Sequence, residues 1–151
     1  MTSKQVPKKL PYKTFIKTFE LVPRVAFNLL ISDREGQILL TKRAISPFKN
    51  HWHLPGSFLL KGETILECLR RIAKNEVGVH LDVKKAKLSG VFEDIDKDPR
   101  GHVIDVVYGY KLTGKVEFNP GVDTKEIRFF KKLPSKIGFS HLKTLHKLGY
   151  K

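Results

Sequence analysis

The sequence predicts an α/β domain, a mixed α+β arrangement in which one β-sheet is flanked by a few helices. Three observations lead there. Segments rich in β-branched and large apolar residues recur at 22–31, 37–43, 103–112 and 126–130. Between them, residues 65–77 carry helical apolar spacing with start and stop signals of their own. With 151 residues, 40% of them apolar, and no internal repeat, the chain reads as one domain over residues 1–151.

In chain order, residues 1–12 read as a loose basic leader, and residues 12–20 as a short strand or an arm. Residues 22–31 (VPRVAFNLLI) form a strand that stops at a polar, glycine-ended turn over 32–36. Residues 37–43 return as its hairpin partner, which places Arg43 at the far end where a loop begins. Residues 44–55 are loop-like, with Trp52 packed beneath them. His51 and His53 stand two apart, but no third histidine or cysteine lies nearby at a zinc spacing.

The helix over 65–77 has the clearest local logic. Thr64 and Glu67 form a capping box, each satisfying a backbone donor of the first turn. Ile65, Leu69, Ile72 and Ala73 make an apolar stripe, widened by Leu66 and Cys68, and Gly78 sits where a left-handed closing residue is wanted. Continuing the stripe one turn reaches Glu76, a carboxylate in the last turn where the helix dipole disfavours negative charge. Such a position calls for a compensating group.

Residues 80–87 suggest a short strand, and residues 88–93 lead into the polar loop 94–102. Asp94, Asp96 and Asp98 alternate there, without the glycine and the final glutamate of an EF-hand loop. Residues 103–112 form the strongest strand. A brief strand is expected over 116–118, another over 126–130, and a last helix capped by Ser140 with Leu142, Leu145 and Leu148 on its buried side.

Charge and composition bound the function. Lysine and arginine number 29 against 15 acidic residues, a net charge of +14, which favours anionic ligands. The basic residues are spread along the chain without the aromatic interleaving of a single-strand nucleic-acid surface, so nucleic acid is an unfavoured partner. No segment is apolar and long enough to span a membrane, and the start lacks a signal core. The single cysteine excludes an internal disulfide framework, and a cytoplasmic location is expected.

Residues 57–79 resemble the Nudix box, whose pattern is Gly, five residues, Glu, seven residues, then Arg-Glu-hydrophobic-x-Glu-Glu-x-Gly-hydrophobic. Glu63, Arg71, Glu76, Gly78 and Val79 occupy their places in that register. Residues 39–43 (LLTKR), Trp52 with 54–56 (LPG), 98–102 (DPRGH), 123–130 (DTKEIRFF), and Leu133-Pro134 followed by 139–141 (FSH) are similar to the ADP-ribose pyrophosphatase branch. The resemblance covers residues 22–146 and implies a Nudix fold. It also implies a magnesium- or manganese-dependent hydrolase of a nucleoside diphosphate linked to a sugar or similar group, with dimers common among such proteins.

Departures from the pattern bear on mechanism. Ser57 replaces the opening glycine, and Ile72 and Asn75 replace two carboxylates of the metal-binding run. The remaining set is Glu76, the Gly56 carbonyl and the Asn75 amide oxygen, which with diphosphate oxygens suits one hard cation. A box with Glu kept only at its end also resembles the GDP-mannose mannosyl hydrolase branch, which attacks the sugar carbon. The candidate catalytic residues are Glu63, Arg71, Glu76 and Glu126, and the candidate substrate contacts are Arg43, Phe58 and His102. Arg71 has two candidate partners, Glu63 and Glu67. A general base is sought outside the box among Glu126, Asp123, Glu93, Asp94 and His102. The alternative reading is a non-catalytic nucleotide-binding module, and a less favoured one is an RNA-processing protein.

Overall fold

The protein is described here by a computed structural model in which residues 6–151 are placed. Ten named elements follow the chain: α1 (Tyr12–Leu21), β1 (Arg24–Ser32), β2 (Ile38–Arg43), β3 (Trp52–His53), β4 (Gly56–Phe58), α2 (Ile65–Val77), β5 (Lys87–Asp94), β6 (Val103–Lys111), β7 (Thr124–Phe130) and α3 (His141–Lys147). The strands form one seven-stranded sheet, ordered β3-β2-β1-β6-β5, with β4 also on β1 and β7 also on β2. Among the named strands only β1 and β6 pair with each other in parallel, from Arg24 opposite Val103 to Ser32 opposite Lys111. The mixed sheet expected from the sequence is thus present.

β1 is covered on both faces, which is why its sequence is nearly all apolar. Phe27, Leu29 and Ile31 point toward α2, whose Cys68, Leu69, Ile72, Ala73 and Val77 complete one core. Leu30 points the other way and joins Leu40, Trp52, Leu54, Val107 and Leu145 of α3 in a second core. The period of two along β1 therefore sorts residues between two helices.

α2 runs as the sequence predicts. Thr64 Oγ1 accepts the Glu67 N–H at 3.2 Å and Glu67 Oε2 accepts the Thr64 N–H at 2.7 Å, while Gly78 closes the helix at φ 69°. The stripe is narrower than expected. Ile65 and Leu66 are exposed, and the buried face is carried by Cys68, Leu69, Ile72, Ala73 and Val77.

Other elements differ. Residues 12–20 are not a strand but belong to α1, because Tyr12, Phe15 and Phe19 fall at i, i+3 and i+7 and stack along one helical face. Their aromatic and β-branched composition disguises that period. Residues 80–87 hold a single 3₁₀ turn, Val83–Lys85, which buries Val83 before β5 starts at Lys87. No strand forms over 116–118, where the chain runs across the end of α2 and Asn119 N–H donates to Val77 O at 2.9 Å. Ser140 stands at the N-cap of α3, but its side chain makes no capping bond and Leu142 is exposed. Of the leader, residues 6–11 are irregular, and residues 1–5 lie outside the described part. No described helix is long and apolar enough to cross a membrane.

Candidate active site

A cleft of about 400 Å³ opens over the parallel β1–β6 pair. Its floor comes from Asn28 and Asp105, polar residues within otherwise apolar strands. One wall is the β3–β4 region with His53, Gly56 and Phe58, and the other is the end of α2 with Glu76 beside Arg43 and Asp123.

Arg71 fastens the loop before α2 to the helix. Its Nε donates to Glu63 Oε1 at 2.7 Å and Nη2 to Glu63 Oε2 at 3.0 Å. Nη1 reaches Ser57 Oγ at 2.8 Å, and Nη2 also reaches the Phe58 carbonyl at 2.9 Å. Glu63 is therefore the ion-pair partner of Arg71. Burial works against the Glu63 charge, but the Arg71 bonds and the Leu60 N–H hold its pKa below the ordinary carboxylate value. Glu67, the other candidate, is occupied by its capping bond. Among the residues of the loop held this way, Gly56 must be glycine: a Cβ there would collide with Asn28 Oδ1 and the Phe27 carbonyl.

Glu76 carries the electrostatic tension that the sequence suggests. Burial and neighbouring Asp123 push its pKa up, opposed by Arg43, Lys9 and a 3.5 Å hydrogen bond from Thr124 Oγ1. Arg43 is itself held below its ordinary value by burial and by Arg100, with Glu76, Asp98 and Asp123 opposing. Its guanidinium lies 5.0 Å from the Phe139 ring centroid. Phe139 takes a left-handed backbone at φ 56°, a strained choice for a non-glycine residue that sets its ring at the cleft wall.

At the other end, Phe58 stacks edge-on with Phe15 and Phe19 of α1 at 5.5 and 5.4 Å. Arg24 and Arg100 lie over the Phe58 ring at 5.1 and 5.2 Å. Asp98 holds Arg100 in a two-point pair, at 3.0 Å to Nε and 2.8 Å to Nη2. Asp94 Oδ1 caps the same loop by accepting the Lys97 and Asp98 N–H groups. The alternating aspartates thus shape a loop that presents Arg100.

The candidates do not all converge. Glu76, Gly56, Arg43 and Phe58 line the cleft, and Glu63 and Arg71 brace it. Glu126 is not among the lining residues: it lies on β7 beside Lys42 at 4.0 Å and is paired with Arg128. His102 and Asn75 also stand apart from the lining, Asn75 bordering a separate basic depression with Arg70 and His80. Cys68 is buried in the core and burial pushes its thiol up to about 12, so it is no nucleophile.

Several lining residues escape sequence reasoning. Lys9 and Leu10 belong to the leader, and Phe15 to the unexpected helix. Asn28, Asp105, His53 and His141 form a polar floor, whose signal was present: Asn28 and Asp105 each interrupt an apolar strand, and the parallel pairing brings those strands side by side.

The chemistry of the donor set tests whether a cation fits. Among the described residues no three histidine, cysteine or acidic side chains are grouped to hold a metal ion. Glu76, with Asp123 beside it and Gly56 also in the lining, offers hard oxygens whose crowded charge one divalent cation would relieve. The set fits a single ion completed by substrate oxygens and does not fit a cluster.

A family model of the NUDIX domain matches residues 22–136. An ADP-ribose pyrophosphatase of Methanocaldococcus jannaschii is 40% identical over 146 residues, covering 94% of this chain and 83% of that protein. A MutT/nudix family protein from Enterococcus faecalis superposes with a TM-score of 0.74 at 24% identity, covering 91% of this chain and 66% of that one. A bifunctional NMN adenylyltransferase/ADP ribose pyrophosphatase from Francisella tularensis, complexed with AMP and a manganese ion, gives a TM-score of 0.72 at 21% identity, covering 90% and 46%. The sheet, the capped helix, the Glu63–Arg71 brace and these likenesses agree: the chain belongs to the Nudix hydrolase family.

Proposed function

We propose that this hydrolase cleaves a nucleoside diphosphate linked to a sugar, of the ADP-ribose type, with one magnesium or manganese ion. The observation that carries the reading is the meeting of Glu76 with Arg43 and Asp123 at one end of a cleft whose other end is aromatic. The first end suits a diphosphate and its cation; the Phe58 and Phe15 end suits a nucleobase. The 40% identity to an archaeal ADP-ribose pyrophosphatase and the AMP and manganese of the Francisella structure support the same substrate class and metal.

Glu76, with Asp123 and the Gly56 carbonyl, would hold the cation, which neutralises charge developing on the phosphate oxygens and orients the diphosphate. Arg43, whose Nε and Nη2 donate to the Pro47 and Ser46 carbonyls, keeps its remaining N–H donors for phosphate oxygens. Arg100, fixed by Asp98, adds positive potential along the path between the two ends. The Arg71–Glu63 brace keeps the Gly56–Phe58 strand against β1, so Gly56 and Phe58 stay in the cleft lining.

The discriminating experiment offers pure protein ADP-ribose, GDP-mannose, dinucleotides and nucleoside triphosphates with magnesium or manganese. Turnover of ADP-ribose in preference to triphosphates is expected. Hydrolysis in ¹⁸O-water separates the two bond choices: label in a phosphate means attack at phosphorus, and label in the free sugar means attack at carbon. A second reading, a nucleotide-binding module without turnover, is favoured by the lack of a grouped metal cluster among the described residues. It requires that ADP-ribose binds and is recovered intact.

A further inference from the structure

Asp105 and His141 form a buried acid-imidazole pair on the cleft floor. Each is about 4% exposed, yet both line the cleft. His141 Nε2 lies 3.8 Å from Asp105 Oδ1, and Asn28 Nδ2 donates to the same oxygen at 2.8 Å. The orientation of the imidazole is fixed from its far side: His141 Nδ1 accepts the Leu54 N–H at 3.1 Å, which leaves the ring proton on Nε2, facing the carboxylate. His53 lies against His141 at 6.0 Å between ring centroids, and burial, His141 and Arg43 keep its own pKa well below the ordinary imidazole value. His53 is thus a neutral partner, tied to Thr41 at 3.1 Å.

The pair sits near the phosphate end of the cleft. Phe139 touches both Arg43, at 5.0 Å, and His141, at 5.5 Å, so one ring separates the arginine from the imidazole. Asn28, which holds Asp105, pairs with Gly56 across the β1–β4 ladder. The competing carboxylates are engaged, exposed or outside the lining, Glu93 among the last. Asp98 is bound by Arg100, Asp94 caps the loop, Asp123 is exposed beside Glu76, and Glu126 is outside the lining.

We propose that Asp105 is the general base of the reaction and that His141 is its positioning residue, an assignment that rests on the hydrolase reading above. Asp105 takes one proton from a water whose oxygen bonds to phosphorus. The bridging P–O bond breaks, its electron pair stays on the departing phosphate oxygen, and the proton on Asp105 passes to solvent. Asn28 holds one carboxylate oxygen at 2.8 Å and the His141 Nε2–H faces the same oxygen from 3.8 Å, leaving the other oxygen to meet the water. A polar group buried beneath an open cleft and steadied on one side is suited to that task.

The test is steady-state kinetics on ADP-ribose with magnesium, with melting temperature measured alongside. For Asp105→Asn, kcat should fall by about 100-fold or more with KM within about threefold of wild type, the usual scale for losing a general base. Formate added to Asp105→Ala should restore part of the rate. His141→Asn keeps an acceptor for the Leu54 N–H and removes the Nε2 donor, so it should lower kcat while leaving KM and melting temperature nearly unchanged. If Asp105→Asn does not fold, Asp105→Glu, which retains a displaced carboxylate, should fold and still lose kcat. An Asp105→Asn or Asp105→Glu enzyme with wild-type kcat, or one that loses only KM, overturns the assignment while leaving the hydrolase reading intact. Wild-type protein that turns over no nucleoside diphosphate sugar overturns both.

Discussion

Arg71 grips Glu63 through two hydrogen bonds, at 2.7 and 3.0 Å, with only 3% of the Glu63 side chain exposed. The same guanidinium reaches Ser57 and Phe58, so one side chain of α2 fixes the strand that forms a cleft wall. Arg71→Ala leaves the Glu63 charge buried and unpaired and should cost about 3 kcal/mol of stability. Arg71→Lys should recover little, because an ammonium cannot reproduce the fork. Urea denaturation of the two variants against wild type checks both statements.

The pair also has a pH signature. Glu63 has a folded pKa below its ordinary value of 4.5, so its stabilisation is fully present above that value. It is lost as pH falls through the lower folded pKa. Glu63→Gln should therefore flatten the acid limb of the stability curve below about pH 4.5, measured by denaturation at a series of pH values.

Glu76 should behave in the opposite sense. Its folded pKa is raised, so the folded state binds the proton more tightly, and the stability this brings is lost as pH rises from 4.5 through the folded pKa. Glu76→Gln should then raise the melting temperature of metal-free protein at pH 7 while abolishing magnesium binding seen by calorimetry with ADP-ribose. For wild type, magnesium affinity should weaken as pH falls through the raised pKa, because the proton competes for the same oxygens.

Ile72 stands where the Nudix pattern has a carboxylate and is completely buried against the Phe27, Leu29 and Leu69 core. Ile72→Glu places a charge in that core without a partner and should destabilise the protein by about 3 kcal/mol or more. It should not raise the rate. Thermal unfolding together with the ADP-ribose assay tests both parts.

Gly56→Ala probes the contact between the loop and β1. The added Cβ meets Asn28 Oδ1 and the Phe27 carbonyl, so β4 must move off β1. Activity should fall more than stability does, since Asn28 also holds Asp105. Melting temperature and kcat measured on one preparation decide it.

The legible parts of the sequence were those governed by local rules. The capping box at Thr64, the left-handed Gly78, the β1–β2 hairpin and the misplaced Glu76 all follow from neighbours a few residues apart. Residues 12–20 misled because Phe, Ile and Thr favour strands in composition while their spacing is helical. The cleft floor is non-local. Asn28 and Asp105 are 77 residues apart and meet only because β1 and β6 run in parallel, and His141 arrives from the last helix. Lys9 lines the cleft from the segment that reads as a loose basic leader, in which no local pattern marks it. Glu126 followed the family motif in sequence, but on β7 it pairs with Arg128 outside the cleft.

The most direct test of the central claim is ³¹P NMR of ADP-ribose incubated with magnesium and either wild-type protein or Glu76→Gln. The account predicts that wild type converts the diphosphate resonances to phosphomonoesters, and that Glu76→Gln does so at least about 100-fold more slowly, a loss of about 2.7 kcal/mol in transition-state stabilisation. Intact diphosphate with wild-type protein, or equal rates for the two proteins, would contradict it.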